Sequence, residues 1–263
     1  MAFPDALLPQ NIKRRRLLAL AGGTVAAGLP SLSATAADAN PKAVEIEVTS
    51  AGGHKMALWK ATPVGKPKGA VVSLHAIYGR TTHMAAVCER WAAAGFTCVA
   101  PALYDRIKKN LTFAYNDTVA GNQAYMSLNP DLLYADIDAA KEAAGPKGTV
   151  AISGFCTGGS WAWRTGARSE WPAQVNFYGS HIAADLNDQN PRCPTILHFG
   201  DADRIVPMTA VESIRAKHPQ VELHIYPGAG HAFENVEQVT YDKAGADLAY
   251  ERSFKFLEMH LKT

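Results

Sequence analysis

Short runs of consecutive apolar residues alternate along this chain with longer segments in which apolar residues recur at helical spacing. The continuous runs predict buried strands at residues 69–74, 96–100, 149–152 and 175–178, and residues 194–199 and 221–226 are predicted to form two further strands. The periodic segments predict helices at residues 82–94, 130–144, 157–167, 208–217 and 241–261. Strands that alternate with helices in this way predict an α/β fold, with one open, mostly parallel sheet covered by helices on both faces.

Two further segments add to this pattern. Residues 44–48 and 55–61 each alternate apolar with polar residues, and Gly52 and Gly53 lie between them. This arrangement predicts an N-terminal antiparallel hairpin at one edge of the sheet. Residues 103–129 are polar and irregular, and we expect them to form a long loop that covers a substrate.

The N-terminal residues have the three-part layout of an export signal. A basic block at residues 13–16 precedes an apolar tract rich in Gly and Ala, and small residues follow at 34–36. Consecutive arginines before a weakly apolar tract resemble a twin-arginine signal. We therefore expect residues 1–36 to be a signal peptide that engages the export machinery and is removed. Residues 37–263 would then form a single periplasmic domain, without stable membrane insertion after cleavage.

The net positive charge of the chain comes from this signal. Four of the 26 Lys and Arg residues and one of the 24 Asp and Glu residues lie within residues 1–36, so the formal net charge changes from +2 to −1 in the remainder. The remainder has no basic patch interleaved with aromatic residues. Nucleic acid is therefore not an expected partner.

The chain has four cysteines, at positions 88, 98, 156 and 193. Their spacing matches no metal-binding pattern, so a metal site is not expected. An exported chain can form disulfides, and the sequence alone leaves open whether Cys88 and Cys98 are paired.

Residues 148–160 have the pattern of a strand, a sharp turn and a helix, with Cys156 at the turn. Gly154 and Gly158 flank the cysteine, as in the Gly-x-nucleophile-x-Gly elbow of hydrolases. Such a turn lifts the thiol out of the strand end and brings the N–H of Thr157 to a helix N-terminus, where an oxyanion can be held. The alternative is a glycine-rich connection with a buried, inert cysteine.

Two later strands end in residues that could activate this thiol. Asp201 and Asp203 follow the run that ends at residue 199, and His231 follows the run that ends at residue 226. A thiol attacks as its thiolate, so Cys156 needs a base, and that base needs a carboxylate to orient it. Each residue alone fits an ordinary turn. Together, in the order nucleophile, acid and base, they predict a catalytic triad in which His231 is the base and either aspartate the acid.

Three motifs resemble the dienelactone hydrolase (carboxymethylenebutenolidase) family. They are Gly-Phe-Cys-Thr-Gly-Gly at 154–159, Asp-Arg-Ile-Val-Pro at 203–207 and Gly-His-Ala-Phe at 230–233, and the resemblance extends from residue 69 to the C-terminus. It implies an α/β-hydrolase fold and a Cys-His-Asp triad. It also implies that Asp203 rather than Asp201 is the acid, and that neither a metal nor an organic cofactor is needed.

The same resemblance implies the remaining parts of the site. The backbone N–H groups of Ile77 and Thr157 are expected to form the oxyanion hole. Tyr125 stands where the family contacts its substrate. The aromatic residues beside the site motifs are further candidates for substrate contact, namely Tyr78, Phe155 and Phe233.

Three positions depart from the family pattern. Ala76 stands where dienelactone hydrolases have a Glu that engages the resting thiol, so activation of Cys156 must rely on His231 or on another group. Gly121 and Asn235 stand where arginines bind the dienelactone carboxylate. These departures disfavour a small anionic dienelactone as the substrate.

Other residues near strand ends allow either a structural or a functional interpretation. His75 could polarise a substrate or make a structural hydrogen bond, and His181 could line the pocket. Trp161 and Trp163 are predicted to pack in the core, and His198 is predicted to be a hydrogen-bonded histidine within a strand.

The sequence therefore predicts a hydrolase in which Cys156 attacks an ester or lactone carbonyl and forms a thioester intermediate. A non-catalytic or thiol redox-sensing protein of the same fold is the main alternative. A thioesterase or peptidase on the same scaffold is another.

Overall fold

Eight strands form one sheet in the computed structural model, which describes residues 40–261. The strands are β1 (Val44–Ser50), β2 (His54–Ala61), β3 (Ala70–Leu74), β4 (Thr97–Pro101), β5 (Val150–Phe155), β6 (Gln174–Phe177), β7 (Thr195–Gly200) and β8 (Glu222–Tyr226). The α-helices of the same residues are α1 (Thr82–Ala93), α2 (Thr118–Met126), α3 (Pro130–Ala144), α4 (Thr157–Arg168), α5 (Ile182–Asp185), α6 (Met208–Lys217) and α7 (Lys243–His260).

The strand order is β1-β2-β4-β3-β5-β6-β7-β8. β1 pairs antiparallel with β2, and β2 with β4, whereas all other neighbouring strands are parallel. The predicted mostly parallel sheet with an N-terminal antiparallel hairpin is thus confirmed. Because β3 and β5 to β8 are parallel, their carboxyl ends lie along one edge of the sheet.

The hairpin turns through the short 3₁₀ segment Ala51–Gly53, which joins the paired residues Ser50 and His54. Gly52 and Gly53 have φ angles of 75° and 76°. Glycine adopts this left-handed backbone conformation without the steric cost that a side chain would add. The glycine pair therefore explains why the chain reverses here.

Helices cover both faces of the sheet, which explains why its central strands are continuous apolar runs. Val71 and Val72, neighbours in β3, are fully buried and belong to the cores on opposite faces. Trp91 of α1 and Tyr250 of α7 pack in the core that contains Val71, with their ring centroids 5.8 Å apart. Ile137 of α3 packs in the core that contains Val72.

The segment 103–129 differs from the predicted irregular loop, because it contains α2. Asp117 caps this helix by accepting a hydrogen bond from the backbone N–H of Ala120 at 3.2 Å. Tyr125 is buried, but Val119 and Met126, also apolar, are exposed. The apolar residues therefore do not form a single stripe, and the helical period is not visible in the sequence.

Residues 40–261 lie within one compact unit, and the predicted signal peptide at residues 1–36 lies outside the described residues. No helix within residues 40–261 is long and apolar enough to cross a membrane. The same residues contain no cluster of His, Cys, Asp or Glu that could hold a metal ion. All four cysteines are free thiols, so Cys88 and Cys98 do not form a disulfide.

Candidate active site

Cys156 lies on a strained turn between β5 and α4. Its φ and ψ angles are 52° and −116°, which non-glycine residues rarely adopt, at a typical cost of about 1–3 kcal/mol. A Cβ atom on Gly154 would overlap the carbonyl of Gly158, and a Cβ on Gly158 would overlap the carbonyl of Leu74. The two flanking glycines are thus needed for the strand to turn this sharply into the helix.

Backbone hydrogen bonds hold this turn in place. The N–H of Cys156 donates to the carbonyl of Phe177 at 3.0 Å, and the N–H of Ser180 donates to the carbonyl of Cys156 at 3.2 Å. The end of β6 therefore fixes both backbone polar groups of the cysteine. Its side chain is partly exposed and lines a cavity at the carboxyl edge of the sheet.

Asp203 and His231 form a close pair beside Cys156. Oδ2 of Asp203 lies 2.7 Å from Nδ1 of His231, and Oδ1 accepts hydrogen bonds from the N–H groups of Ile205 at 2.7 Å and Val206 at 2.9 Å. Asp201 instead accepts from the N–H of Gly228 at 2.6 Å. Of the two aspartates, Asp203 thus contacts the histidine, and Asp201 stabilises a turn.

The environment of His231 favours its protonated form. Burial lowers the pKa of this imidazole, but Cys156 and Asp203 outweigh burial and raise the pKa to about 10. Nε2 of His231 is buried and makes no hydrogen bond within the described residues. Because Nδ1 is held by Asp203, Nε2 is the atom that remains for the sulfur of Cys156.

The candidate oxyanion hole lies in the same cavity as the thiol. Ile77 and Thr157 both line the cavity, and within residues 40–261 neither backbone N–H donates a hydrogen bond to another protein group. The hydroxyl of Tyr104 donates to the carbonyl of Ile77 at 3.1 Å, which fixes the loop after β3. Both N–H groups are therefore free to donate to a ligand.

His75 has a structural role at the start of this loop. It accepts a hydrogen bond from the N–H of Leu103 at Nε2, over 3.2 Å, and its Nδ1 lies 2.7 Å from the carbonyl of Ala76. Burial lowers the pKa of His75 to about 4, so the ring is neutral near pH 7. A neutral ring with Nδ1–H and a free Nε2 satisfies both contacts.

A cavity of about 420 Å³ opens in front of Cys156, a volume within the range of small-molecule sites. Its wall contains the methyl group of Ala76, so no carboxylate lies at that position. Besides Cys156, Thr157 and His231, the polar and charged side chains that line the cavity are those of Tyr78, Thr81, His83, Tyr115, Thr118, Asn122, Tyr178, Ser180, His181, Asn235 and Gln238. None of the described lining residues is a lysine or an arginine.

The four predicted substrate contacts have different locations. Tyr78 and Phe155 line the cavity. Tyr125 lies behind the wall, where its ring stacks on His181 with centroids 5.4 Å apart, and His181 itself lines the cavity. Phe233 is fully buried and packs against Tyr226, so the structure does not bring it to the cavity.

Asn235 lines the cavity, and Gly121 lies behind the cavity wall, against Ile77. A Cβ atom on Gly121 would approach the carbonyl of Ile77 to 2.9 Å, so this glycine lets α2 pack closely on the oxyanion loop. The side-chain amide of Asn235 donates to the hydroxyl of Tyr115 at 3.2 Å, and its oxygen accepts from the N–H of Glu237 at 2.9 Å. These contacts bring the loop after β8 against the segment before α2.

The other singled-out residues lie in the core. His198 makes hydrogen bonds with the hydroxyl groups of Tyr226 at 2.8 Å and Ser253 at 2.9 Å, as expected for a hydrogen-bonded histidine within a strand. Trp163 is fully buried and donates to the carbonyl of Leu186 at 3.2 Å, and Trp161 is also buried. Their predicted packing roles are confirmed.

Sequence reasoning missed three residues at or directly behind the cavity wall: His83, Tyr178 and Glu234. His83 and Tyr178 line the cavity, and Glu234, which is buried, lies behind them and contacts both. No signal in the local sequence identifies them, because the three residues come from segments far apart in the chain.

Comparisons with known proteins show the family of this chain. Residues 56–261 match the model of the dienelactone hydrolase family. Carboxymethylenebutenolidase 1 from Cupriavidus pinatubonensis is 28% identical over 226 residues, which cover 81% of this chain and 96% of that protein. Carboxymethylenebutenolidase from Pseudomonas putida is 26% identical over 223 residues, covering 81% and 94%.

A solved structure shows the same fold. The dienelactone hydrolase-like promiscuous phosphotriesterase from metagenomic libraries superposes with a TM-score of 0.69 at 16% identity, covering 84% of this chain and all of that one. At this sequence identity, the similarity between the two structures shows a shared fold and nothing more. Since the family model spans most of the chain, this chain belongs to the dienelactone hydrolase family and is a hydrolase.

Proposed function

We propose that this chain hydrolyses an uncharged carboxylic ester or lactone, with Cys156 as nucleophile, His231 as proton carrier and Asp203 as the group that orients His231. The observation that carries the proposal is the 2.7 Å contact between Asp203 and His231 next to a partly exposed thiol on a strained turn. The family membership supports the reaction class, ester or lactone hydrolysis.

Before the attack, the thiol proton of Cys156 moves to Nε2 of His231, and in the acylation step the sulfur forms a bond to the substrate carbonyl carbon. The carbonyl oxygen becomes an oxyanion, to which the N–H groups of Ile77 and Thr157 donate. When this intermediate collapses, the bond to the leaving oxygen breaks, and His231 gives its proton to that oxygen. The products are an alcohol and a thioester on Cys156.

The second half of the reaction regenerates the thiol. A water molecule gives a proton to Nε2 of His231 and attacks the thioester carbonyl. The same N–H groups hold the second oxyanion, and its collapse releases the carboxylic acid and the sulfur, which takes the proton back. For a lactone, the alcohol and the acid are two ends of one product.

Without a carboxylate at position 76, the ion pair between Cys156 and His231 is the source of thiol activation. The pKa of His231, raised to about 10 by Cys156 and Asp203 despite burial, favours an imidazolium beside the sulfur near neutral pH. A thiolate beside an imidazolium is the reactive form in other cysteine hydrolases. Activation therefore rests on the triad itself.

The charge pattern of the cavity supports an uncharged substrate. Its described lining residues include no lysine or arginine that could bind a substrate carboxylate. Each histidine in the wall already faces a carboxylate, in the pairs His83–Glu234, His181–Asp185 and His231–Asp203. A substrate carboxylate would therefore enter the cavity without a free cation as partner.

The experiment is hydrolysis of p-nitrophenyl butyrate by the wild type and by two cysteine variants. Cys156→Ala should abolish turnover. Cys193→Ala is the matched control, because Cys193 is also a partly exposed free thiol but lies outside the cavity, and burial raises its pKa to about 11. Full activity in Cys156→Ala would refute the mechanism.

A labelling experiment distinguishes the proposed hydrolase from a thiol sensor without hydrolase activity. An ester-like active-site probe should label Cys156 in the wild type, and His231→Ala should block that labelling. An accessible thiol that serves only as a sensor would be labelled in both proteins. A panel of thioesters and peptide amides tests the same scaffold for the two other hydrolytic activities.

Residues 1–36 remain a predicted twin-arginine-type signal, and we place the enzyme in the periplasm as part of this proposal. The support is the order of the basic block, the apolar tract and the small-residue site.

A further inference from the structure

A buried polar cluster lies behind the cavity, and one of its residues contacts the imidazole of His231. It consists of His83 at the start of α1, Tyr178 after β6, Glu234 after β8 and Tyr250 in α7. The hydroxyl of Tyr178 donates to Oε1 of Glu234 at 2.5 Å, and Nε2 of His83 lies 3.1 Å from the same oxygen. The hydroxyl of Tyr250 donates to Oε2 at 3.5 Å. We define these four residues as the Glu234 cluster.

The carboxylate at the centre of this cluster is 2% exposed, so it requires compensation. Burial lowers the pKa of His83, but Glu234 outweighs this effect and raises it above its usual value of 6.5. Burial and Glu234 also raise the pKa of Tyr178, so its hydroxyl keeps its proton and donates. The hydroxyl of Tyr178 is therefore anchored to a charged acceptor, which gives a stronger hydrogen bond than a neutral one.

Tyr178 is restrained at its backbone as well. Its φ angle is 43°, and its N–H donates to the carbonyl of His198 at 2.8 Å. A non-glycine residue keeps this conformation only where its surroundings enforce it, and here the anchored hydroxyl and the backbone hydrogen bond do so. The ring thus has one fixed position.

This fixed ring lies against the imidazole of His231. The two ring centroids are 4.8 Å apart, with the planes inclined by 58°. A cation within about 6 Å of an aromatic ring is stabilised by the ring electrons, more so where water is excluded. Tyr178 is 3% exposed, so most of its ring is shielded from solvent.

We propose that Tyr178 is a positioning residue for His231: the Glu234 cluster fixes its ring, and the ring supports the imidazolium so that Nε2 faces the sulfur of Cys156. This inference rests on the proposed triad and names a second contact, besides that of Asp203, which holds the base. The charged or titratable groups that face the imidazole are Cys156 and Asp203, with Glu234 behind the tyrosine ring.

The test is the pH dependence of the alkylation of Cys156 by iodoacetamide, followed by mass spectrometry of the modified peptide. This reaction reports the thiolate of the ion pair without requiring any substrate. Tyr178→Leu removes the ring, and its alkylation rate at pH 7 should fall about tenfold, with the half-maximal rate reached at higher pH. Tyr178→Phe keeps the ring but frees it from Glu234, and a smaller decrease of about threefold is expected.

Tyr226→Phe is the matched control, because it also removes a buried tyrosine hydroxyl, the one that contacts His198 at 2.8 Å. Its alkylation profile should equal that of the wild type. Tyr178→Phe and Glu234→Gln should be non-additive in the double variant, because both act through the same hydrogen bond. Thermal unfolding of each variant establishes that it is folded.

A wild-type pH profile in folded Tyr178→Leu, or strictly additive effects of Tyr178→Phe and Glu234→Gln, would overturn the inference. Ester hydrolysis by the same variants separates it from the proposed function. If Tyr178→Leu lowers kcat and leaves KM within about twofold, the ring acts on the base rather than on substrate binding. If the wild type does not hydrolyse the ester but the variants show the expected shift in the pH profile of alkylation, the hydrolase mechanism is contradicted and the positioning role of Tyr178 stands.

Discussion

Replacing Asp203 with Asn should disable the site through the tautomer of His231. Oδ1 of Asp203 accepts hydrogen bonds from two backbone N–H groups, those of Ile205 at 2.7 Å and Val206 at 2.9 Å. An asparagine has only one oxygen, and that oxygen must stay with these two donors. Its NH₂ group is then turned towards Nδ1 of His231, where Oδ2 now lies at 2.7 Å.

An NH₂ group can only donate, so Nδ1 of His231 must become the acceptor and the ring proton must move to Nε2. That atom can then no longer take the proton of Cys156. The substitution also removes one of the groups that raise the pKa of His231 to about 10. We expect kcat/KM to fall by about three to four orders of magnitude, or about 4–5.5 kcal/mol in the barrier, the scale of the same change in Ser-His-Asp triads.

The assay is kcat/KM for p-nitrophenyl butyrate, with thermal unfolding measured in parallel. Asp201→Asn is the control, because Asp201 accepts only from the N–H of Gly228 and should keep activity within about threefold of wild type. A folded Asp203→Asn enzyme with more than about a tenth of wild-type activity would refute the tautomer argument. Equal losses in the two variants would refute the assignment of the acid.

Three further outcomes follow. Gly158→Ala should lower the unfolding free energy by about 1–3 kcal/mol, measured by denaturant titration, because its Cβ would overlap the carbonyl of Leu74; unchanged stability would contradict the tight elbow. Because the folded-state pKa of His231 is raised above 6.5 to about 10, its contribution to stability is fully present below pH 6.5 and declines as the pH approaches 10. His231→Gln should lack that decline in urea titrations across this range, and an equal decline in both proteins would contradict it. Changing Arg14 and Arg15 to Lys should retain the unprocessed chain in the cytoplasm, as judged by fractionation; normal export would argue against a twin-arginine signal.

The parts of the site that the sequence predicted are those attached to strong local patterns. Cys156, Asp203 and His231 each follow a segment that the sequence predicts to be a strand of a mostly parallel sheet. The fold class then brings all three strand exits to one edge. The choice between Asp201 and Asp203 needed either the family motif or the hydrogen bonds of the structure, because both residues follow the same strand.

The parts that were missed depend on contacts between distant segments. His83 and Glu234 are 151 residues apart, and nothing in either local sequence indicates that they pair. Phe233 illustrates the opposite error: it adjoins His231 in sequence, but its side chain points into the core. α2 escaped prediction because its exposed apolar residues obscure the helical period.

The proposed preference for an uncharged substrate rests on two positions at which this chain has no arginine, Gly121 and Asn235. Gly121 packs α2 against the carbonyl of Ile77, and a larger side chain there would have to displace the helix. Asn235 joins the loop after β8 to Tyr115. Neither position supplies a cation to the cavity, and an anionic ester such as p-nitrophenyl hemisuccinate should have a lower kcat/KM than p-nitrophenyl butyrate. The reverse preference would contradict the uncharged substrate class.

The central claim is that Cys156 carries the acyl group, and intact-protein mass spectrometry of rapidly quenched reactions tests it most directly. With p-nitrophenyl butyrate in excess, we expect one butyryl group per chain, and peptide mapping should locate it at Cys156 in the wild type and in Cys193→Ala. Hydrolysis that proceeds with the acyl group on another residue, or at an undiminished rate in Cys156→Ala, would contradict the account.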